Sequence, residues 1–199
     1  MKIKKFFVIA LMFFIGATFL VGCGGNLYTF ETTFPQDLKI VVRISNGTVF
    51  FEETFIREDN IYYYKYQEYT SDFNSLGTTS NEYAGVQNST GYTTYSRNGG
   101  DWYEISSINF GTQWSSLISY CSSLFTYRES EKQADVTING TSCYKFVVGL
   151  TTINISKDDN HIMWRYYGQT SSAYILYEVQ SLTTVNVFSG ISTSGIVAN

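Results

Sequence analysis

His161 is the one histidine in 199 residues, so any Ser-His-Asp or Cys-His arrangement has to run through it. It follows Asp158-Asp159-Asn160, a cluster of turn-forming residues that reads as a hairpin turn with a solvated His beside it. A catalytic serine on a strained elbow brings a G-x-S-x-G signature, which this sequence lacks. Asp158, Asp159 and Asn160 offer oxygens for calcium, but without the alternating spacing at which Ca²⁺ loops present their ligands. Paired carboxylates for glycoside hydrolysis would have to be Glu52 with Glu53, or Glu129 with Glu131. Neighbours on a strand point to opposite faces, so Glu52 and Glu53 cannot share a site, and all four glutamates read as solvated surface. Three cysteines with no C-x-x-C pair leave no thiolate zinc site. The expectation is a protein that is not an enzyme, with no catalytic residues, no metal and no cofactor.

The remaining reactive group is Cys23. Lys2, Lys4 and Lys5 precede an apolar run from Phe6 to Val21 that is interrupted by Gly16 and Thr18. The run is short for a membrane span of about 20 residues and fits a secretory h-region. It ends in Leu20-Val21-Gly22-Cys23, which resembles a bacterial lipobox. That resemblance implies transfer of a diacylglyceryl group to the Cys23 sulfur, cleavage after Gly22 and often a further acyl group such as palmitate on the new amine. Residues 1–22 are then a lipoprotein signal peptide and 23–37 a lipidated cysteine with its tether. The resemblance also implies that the protein sits outside the cytoplasm, anchored to the bacterial membrane. Two or three acyl chains hold far better than one, since each buried CH₂ contributes about 0.8 kcal/mol.

Three of the 13 Lys+Arg and none of the 17 Asp+Glu fall within residues 1–22, so the remainder carries 10 cations against 17 anions, a net −7. An acidic body excludes nucleic acid and electrostatic membrane binding as partners. An aromatic content of 18% excludes intrinsic disorder. One domain, present as a monomer, is expected.

Period-two alternation dominates from residue 38 onward. Leu38, Ile40, Val42 and Ile44 alternate with Lys39, Val41 and Arg43. Asn46-Gly47 follows as a type I′ hairpin signal, with Val49, Phe51 and Phe55 on one face of the return strand. Further strands are predicted at 61–69, 81–88, 91–97, 101–106, 134–138, 142–150, 152–156, 161–167, 173–180 and 182–188, with turns at Asp59-Asn60, Asn98-Gly99-Gly100, Asn139-Gly140 and Asp158-Asp159-Asn160. The tail from Gly190 is small, polar and frayed. Between the two strand groups Trp114, Leu117, Ile118, Cys121, Leu124 and Phe125 fall on one helical face. This predicts an amphipathic helix over 112–126, with Thr112 as N-cap.

The fold class is therefore mainly β. About ten antiparallel strands form a curved sheet, or incomplete β-barrel, that wraps one central amphipathic helix; residues 38–189 make this domain and 190–199 a flexible tail.

Several features resemble the LolA/LolB-type and LppX/LprG-type envelope proteins. They are the lipobox, the hairpins, Gly99-Gly100-Asp101-Trp102, the helix, the N-G-T-x-x-Y-x-F run from Asn139 to Phe146, and the turn at Asp158-Asp159-Asn160. The resemblance implies a half-barrel whose apolar concavity takes a lipid or another amphiphile. The ligand-binding residues expected here are Trp114, Leu117, Ile118, Leu124, Phe125, Tyr144, Phe146 and Val148, which equally suit a plain core. The alternative is an interaction module that uses a tyrosine-rich face around Tyr62, Tyr63, Tyr64, Tyr66 and Tyr69, though cross-strand packing explains that cluster as well. Cys121 and Cys143 are a possible disulfide in an oxidising compartment, closing about 22 residues and contributing on the order of 3 kcal/mol. Against the bond, Cys121 lies on the helix's apolar face while Cys143 alternates with Tyr144, Phe146, Val148 and Leu150.

Overall fold

The computed structural model describes residues 25–70, 72–97, 99–106, 110–122, 126–170 and 173–196. In chain order the elements are β1 (Leu27–Thr29), β2 (Leu38–Ser45), β3 (Phe50–Glu58), β4 (Ile61–Tyr69), β5 (Leu76–Asn88), β6 (Gly91–Arg97), β7 (Tyr103–Ile105), α1 (Phe110–Cys121), β8 (Thr126–Arg128), β9 (Lys132–Ile138), β10 (Thr141–Val148), β11 (Thr151–Ser156), β12 (Met163–Gln169) and β13 (Tyr174–Thr183). One turn of 3₁₀ helix lies at Glu129–Glu131. The protein is mainly β, with one α-helix among the described residues. Eleven strands form one antiparallel sheet in the order β7-β6-β5-β4-β3-β2-β13-β12-β11-β10-β9, which does not close. It consists of two meanders, β2–β7 and β9–β13, joined where β2 pairs with β13. β1 and β8 form a separate two-stranded ribbon.

The expected hairpins form, with one difference in turn chemistry. Asn139 and Gly140 both take positive φ, +47° and +86°, as a type I′ turn requires. At Asn46-Gly47 the glycine alone does so, at +86°. There the Asn46 side chain accepts the backbone N–H groups of Thr48 and Val49 at 3.1 and 2.9 Å. This Asx-type arrangement spreads the connection over residues 46–49 and leaves Val49 exposed outside the strand.

Register places the apolar rows. Ile40, Phe55, Tyr64 and Tyr83 stand opposite one another on β2 to β5, and most join the main core with Phe110, Leu117 and Cys121 of α1. The other face of the same strands carries Ile56, Tyr63, Ala84 and Tyr95 in one row. That row is covered by Trp102, Val187, Phe188, Ile191 and Ile196. A third cluster joins Phe30 and Tyr127 to Phe146, Ile153, Ile155 and Met163. Burying an aliphatic or aromatic side chain of this size contributes roughly 1.5–3 kcal/mol, and β3 and β4 bury such residues on both faces.

Five sequence expectations need correction. The helix spans Phe110–Cys121 rather than 112–126, and Thr112 lies inside its first turn, where its carbonyl accepts Ser116 Oγ at 3.1 Å. Thr126–Arg128 is drawn into pairing with β1 instead, because β-branched Thr126 and aromatic Tyr127 favour a strand. The tether assigned to 23–37 is in part folded: Leu27–Thr29 is β1 and Phe30 is buried. The tail is not frayed through residue 196, since Ile191 and Ile196 pack on the second cluster and Trp102 Nε1 donates to the Ser192 carbonyl at 3.0 Å. The strand expected at 173–180 runs on through a register shift between Val179 and Ser181 to Thr183 as β13, and residues 184–188, expected in a further strand, are loop, bend and turn instead. The sheet has eleven strands rather than about ten.

Candidate functional site

Of the eight residues expected to bind a ligand, the six that are described do not converge. Leu117 is 0% exposed in the main core, and Trp114 packs edge-on to Phe34 and Tyr62 beneath the Arg57 guanidinium. Ile118 is exposed on the outer side of α1. Phe146 is fully buried in the third cluster with Tyr144 against it, so these two face Phe30 and Tyr127 rather than the helix stripe. Val148 is 41% exposed at the end of β10. Leu124, Phe125 and Cys23 lie outside the described residues, as does the signal segment.

Cys121 and Cys143 are free, buried thiols in the main core. Burial pushes the Cys121 thiol far up and the Cys143 thiol up to about 11, so neither is a ready nucleophile. Cys143 Sγ contacts the Thr141 carbonyl at 3.5 Å. The alternation along β10 holds, and it is Cys143, not Tyr144 or Phe146, that joins the helix-side cluster.

His161 sits in a structural corner. Its ring is edge-on to Phe30 at 5.3 Å, and its Nδ1 lies 3.4 Å from the Ser156 carbonyl. Asp158 Oδ1 accepts Ser156 Oγ at 2.7 Å and the Asn160 N–H at 3.1 Å. Those bonds close the Asp158-Asp159-Asn160 turn, whose residues are spent on the turn itself. Among the described residues no group of three or more His, Cys, Asp or Glu is placed to hold a metal.

The tyrosines of β4 are not a free surface. Tyr63 and Tyr64 are buried on opposite faces. Tyr62, Tyr64 and Tyr66 share the face that meets α1, where Tyr62 contacts Phe110 and Trp114. Tyr63 meets Trp102 edge-on at 6.3 Å on the other side. The tyrosine-rich face is therefore core, because α1 covers one side of β4 and Trp102 with the C-terminal segment covers the other.

Glu53 is the residue that the sequence placed wrongly. It is 7% exposed and stands between Val42 and Tyr66 on the helix-side face. Its Oε1 accepts the Tyr64 hydroxyl at 2.8 Å, while its Oε2 has no hydrogen-bond partner among the described residues. Loss of hydration pushes its carboxyl up to about 7, against a smaller opposite pull from the Tyr64 bond. The signal was present in the sequence: Phe51, Glu53 and Phe55 share a strand face. Glu52, its neighbour, faces out and pairs with Arg43 at 3.0 Å.

Two cavities stand out. An apolar niche of about 80 Å³ is lined by Ile44, Ser45, Asn46, Phe51, Ile175 and Tyr177, at the end of the helix-side core. An open groove of about 350 Å³ lies on the opposite face, lined by Thr152, Arg165, Tyr167, Leu176 and Glu178. Register builds it: Thr152 faces Tyr167, Tyr167 faces Leu176, and Arg165 faces Glu178. Arg165 is bound to Glu178, which also accepts Gln180 Nε2 at 2.8 Å. Tyr174 tilts against Tyr167 at 5.7 Å. Beside Arg165 in the ladder, Asn154 is 2% exposed with its amide nitrogen unpartnered among the described residues. The groove pairs an apolar floor with a fixed cation, a carboxylate and a hydroxyl. Such a lining suits a small ligand with an apolar body and polar edges.

Sequence reasoning missed this groove because its residues come from three strands and meet through register alone. No family model matches the chain, and no curated protein is similar enough to it to indicate shared ancestry.

Proposed function

We propose that the protein is a bacterial lipoprotein, anchored outside the cytoplasm through Cys23, whose β-sheet binds a small amphiphilic ligand on the face away from α1. The carrying observation is where space is left: about 350 Å³ beside Tyr167 and Leu176, against about 80 Å³ on the helix side. An acyl chain needs several hundred Å³ of enclosed apolar volume, and on the helix side that volume is occupied by Leu117, Tyr64, Phe110 and Trp114. The open sheet with its helix is compatible with a LolA-like half-barrel, and the lipobox supports the anchor.

Native mass spectrometry of protein purified from its own membranes tests the reading. A ligand adduct on the wild type that is lost in Tyr167→Ala supports it. A bare polypeptide mass at gentle voltage counts against it, and an adduct lost in Leu117→Ala but kept in Tyr167→Ala returns the ligand to the helix side. For the anchor, Cys23→Ala is expected to move the protein from the detergent phase to the aqueous phase, and unchanged partitioning counts against lipidation.

A further inference from the structure

We propose that Glu53 is a pH-operated latch for α1: protonated, it lets the helix dock on the sheet, and ionised, it releases the helix. The inference stands apart from the groove on the other face.

The geometry begins with what holds each element. β2, β3, β4 and β13 are fixed by continuous backbone ladders. α1 has no such tie. Phe110, Leu117 and Cys121 are its buried residues, and it has no acidic side chain in its first turn and no basic one in its last. Ser115 and Ser116 bond back to the carbonyls of Gly111 and Thr112 at 2.8 and 3.1 Å, a pattern that weakens a helix slightly. Such an element owes its place to the face it covers.

Glu53 lies on that face. The titratable groups around it are Tyr64 and Tyr66 from β4, Tyr120 and Cys121 from α1, and Tyr177 from β13. Tyr120 stacks on Tyr177 at 4.8 Å, which ties the C-terminal half of α1 to β13. None of these groups is a cation. A neutral carboxyl is tolerated there with one hydrogen bond. A carboxylate, its proton passed to solvent, carries a full charge with one oxygen bare and needs water. α1 is the covering element that can yield without breaking a sheet ladder. Its release hydrates the carboxylate and uncovers Tyr62, Tyr64, Tyr66 and Tyr177.

The sign follows from the two states. With the helix docked the carboxyl titrates near 7, and in the hydrated, open state near its ordinary 4.5. Opening is therefore favoured as pH rises through that interval. Between pH 5 and pH 8 the opening equilibrium constant of α1 rises roughly seventyfold.

Hydrogen exchange followed by mass spectrometry on the full-length protein at pH 5 and pH 8, corrected for intrinsic exchange, reads this directly. Expected is a protection loss of that size in α1 peptides, reached through an opening of lower free energy than that of β2 and β3, and its absence in Glu53→Gln. An unchanged α1, α1 protection equal to that of β2 and β3 at both pH values, or the same loss in Glu53→Gln overturns the latch. Should Glu53→Gln not fold, the wild type decides: α1 exchange that follows the Glu53 carboxyl ¹³C titration across pH supports the latch, and a carboxyl inflection near 4.5, or α1 exchange that does not follow it, overturns it.

Discussion

Tyr64 donates its phenolic hydrogen to Glu53 at 2.8 Å across the β3–β4 ladder, one diagonal step from the direct pair of Glu53 with Tyr66. This bond gives the buried acid its single hydrogen-bonded oxygen. It also opposes the effect of burial, drawing the carboxyl back toward its ordinary range.

Tyr64→Phe keeps the ring and its contact with Phe55 at 5.1 Å but strips that bond. The expected loss is about 1–3 kcal/mol, the cost of leaving a buried acceptor unmet. Urea unfolding at pH 6 measures it, and the titration of Glu53 should move further upward in the same variant. A change below about 0.5 kcal/mol would mean that water already serves the carboxyl.

Overall stability should depend on pH through the same group. Its folded-state value lies above the unfolded one, so the folded state binds the extra proton and stability falls as pH rises. The contribution is complete below about pH 4.5, is lost progressively up to about 7 and is flat beyond. An upper limit of roughly 3–4 kcal/mol follows from about 1.4 kcal/mol for each pH unit. Unfolding curves of wild type minus Glu53→Gln isolate it, since the other titrations cancel. A flat difference curve removes the buried charge from the account.

Gly85 is a second point of control over the helix. A Cβ there would lie 2.6 Å from the Phe110 ring, which opens α1 and is itself buried. Gly85→Ala should therefore cost about 1–3 kcal/mol by overpacking. Phe110→Leu in the same background should recover part of it. Additive losses in the double variant would show that the two positions are not coupled.

Leu117 and Ile118 are neighbours with opposite surroundings, one fully buried and the other exposed. Leu117→Ala should cost about 2–5 kcal/mol, whereas Ile118→Ala should stay within about 0.5 kcal/mol. Thermal or urea unfolding separates them. Equal losses would place Ile118 under an unseen cover.

Much of the sheet was legible because its signals are local. The alternation of Leu38, Ile40, Val42 and Ile44 fixed β2, and Asn139-Gly140 fixed the β9–β10 turn. The helix stripe was legible from Trp114 to Cys121 and misread beyond, since a periodic pattern does not reveal that Thr126–Arg128 has a better partner in β1. Three residues are also too few to announce a strand, which is why Leu27–Thr29 passed for a tether. Glu53 was misread by residue type: a carboxylate between two phenylalanines on one face was assigned to solvent although its phase pointed inward. The groove at Tyr167 could not be read at all, because the pairing of β11, β12 and β13 is a tertiary fact.

The β1–β8 ribbon has a mechanical consequence. Anything that pulls on the chain ahead of Leu27 pulls first on three rungs, Leu27 to Arg128, Tyr28 to Tyr127 and Thr29 to Thr126, with the rings of Tyr28 and Phe30 as a clasp over Phe146. If those rungs unzip, the eleven-stranded sheet keeps every one of its own pairings. Beyond Thr29 the chain is still held by the Thr33 N–H on the Asn160 carbonyl, by the Thr32 hydroxyl on the His161 carbonyl and by Arg57 on the Pro35 and Gln36 carbonyls. A pull from that end would therefore open the ribbon first and these bonds next, in series, before any load arrived at β2.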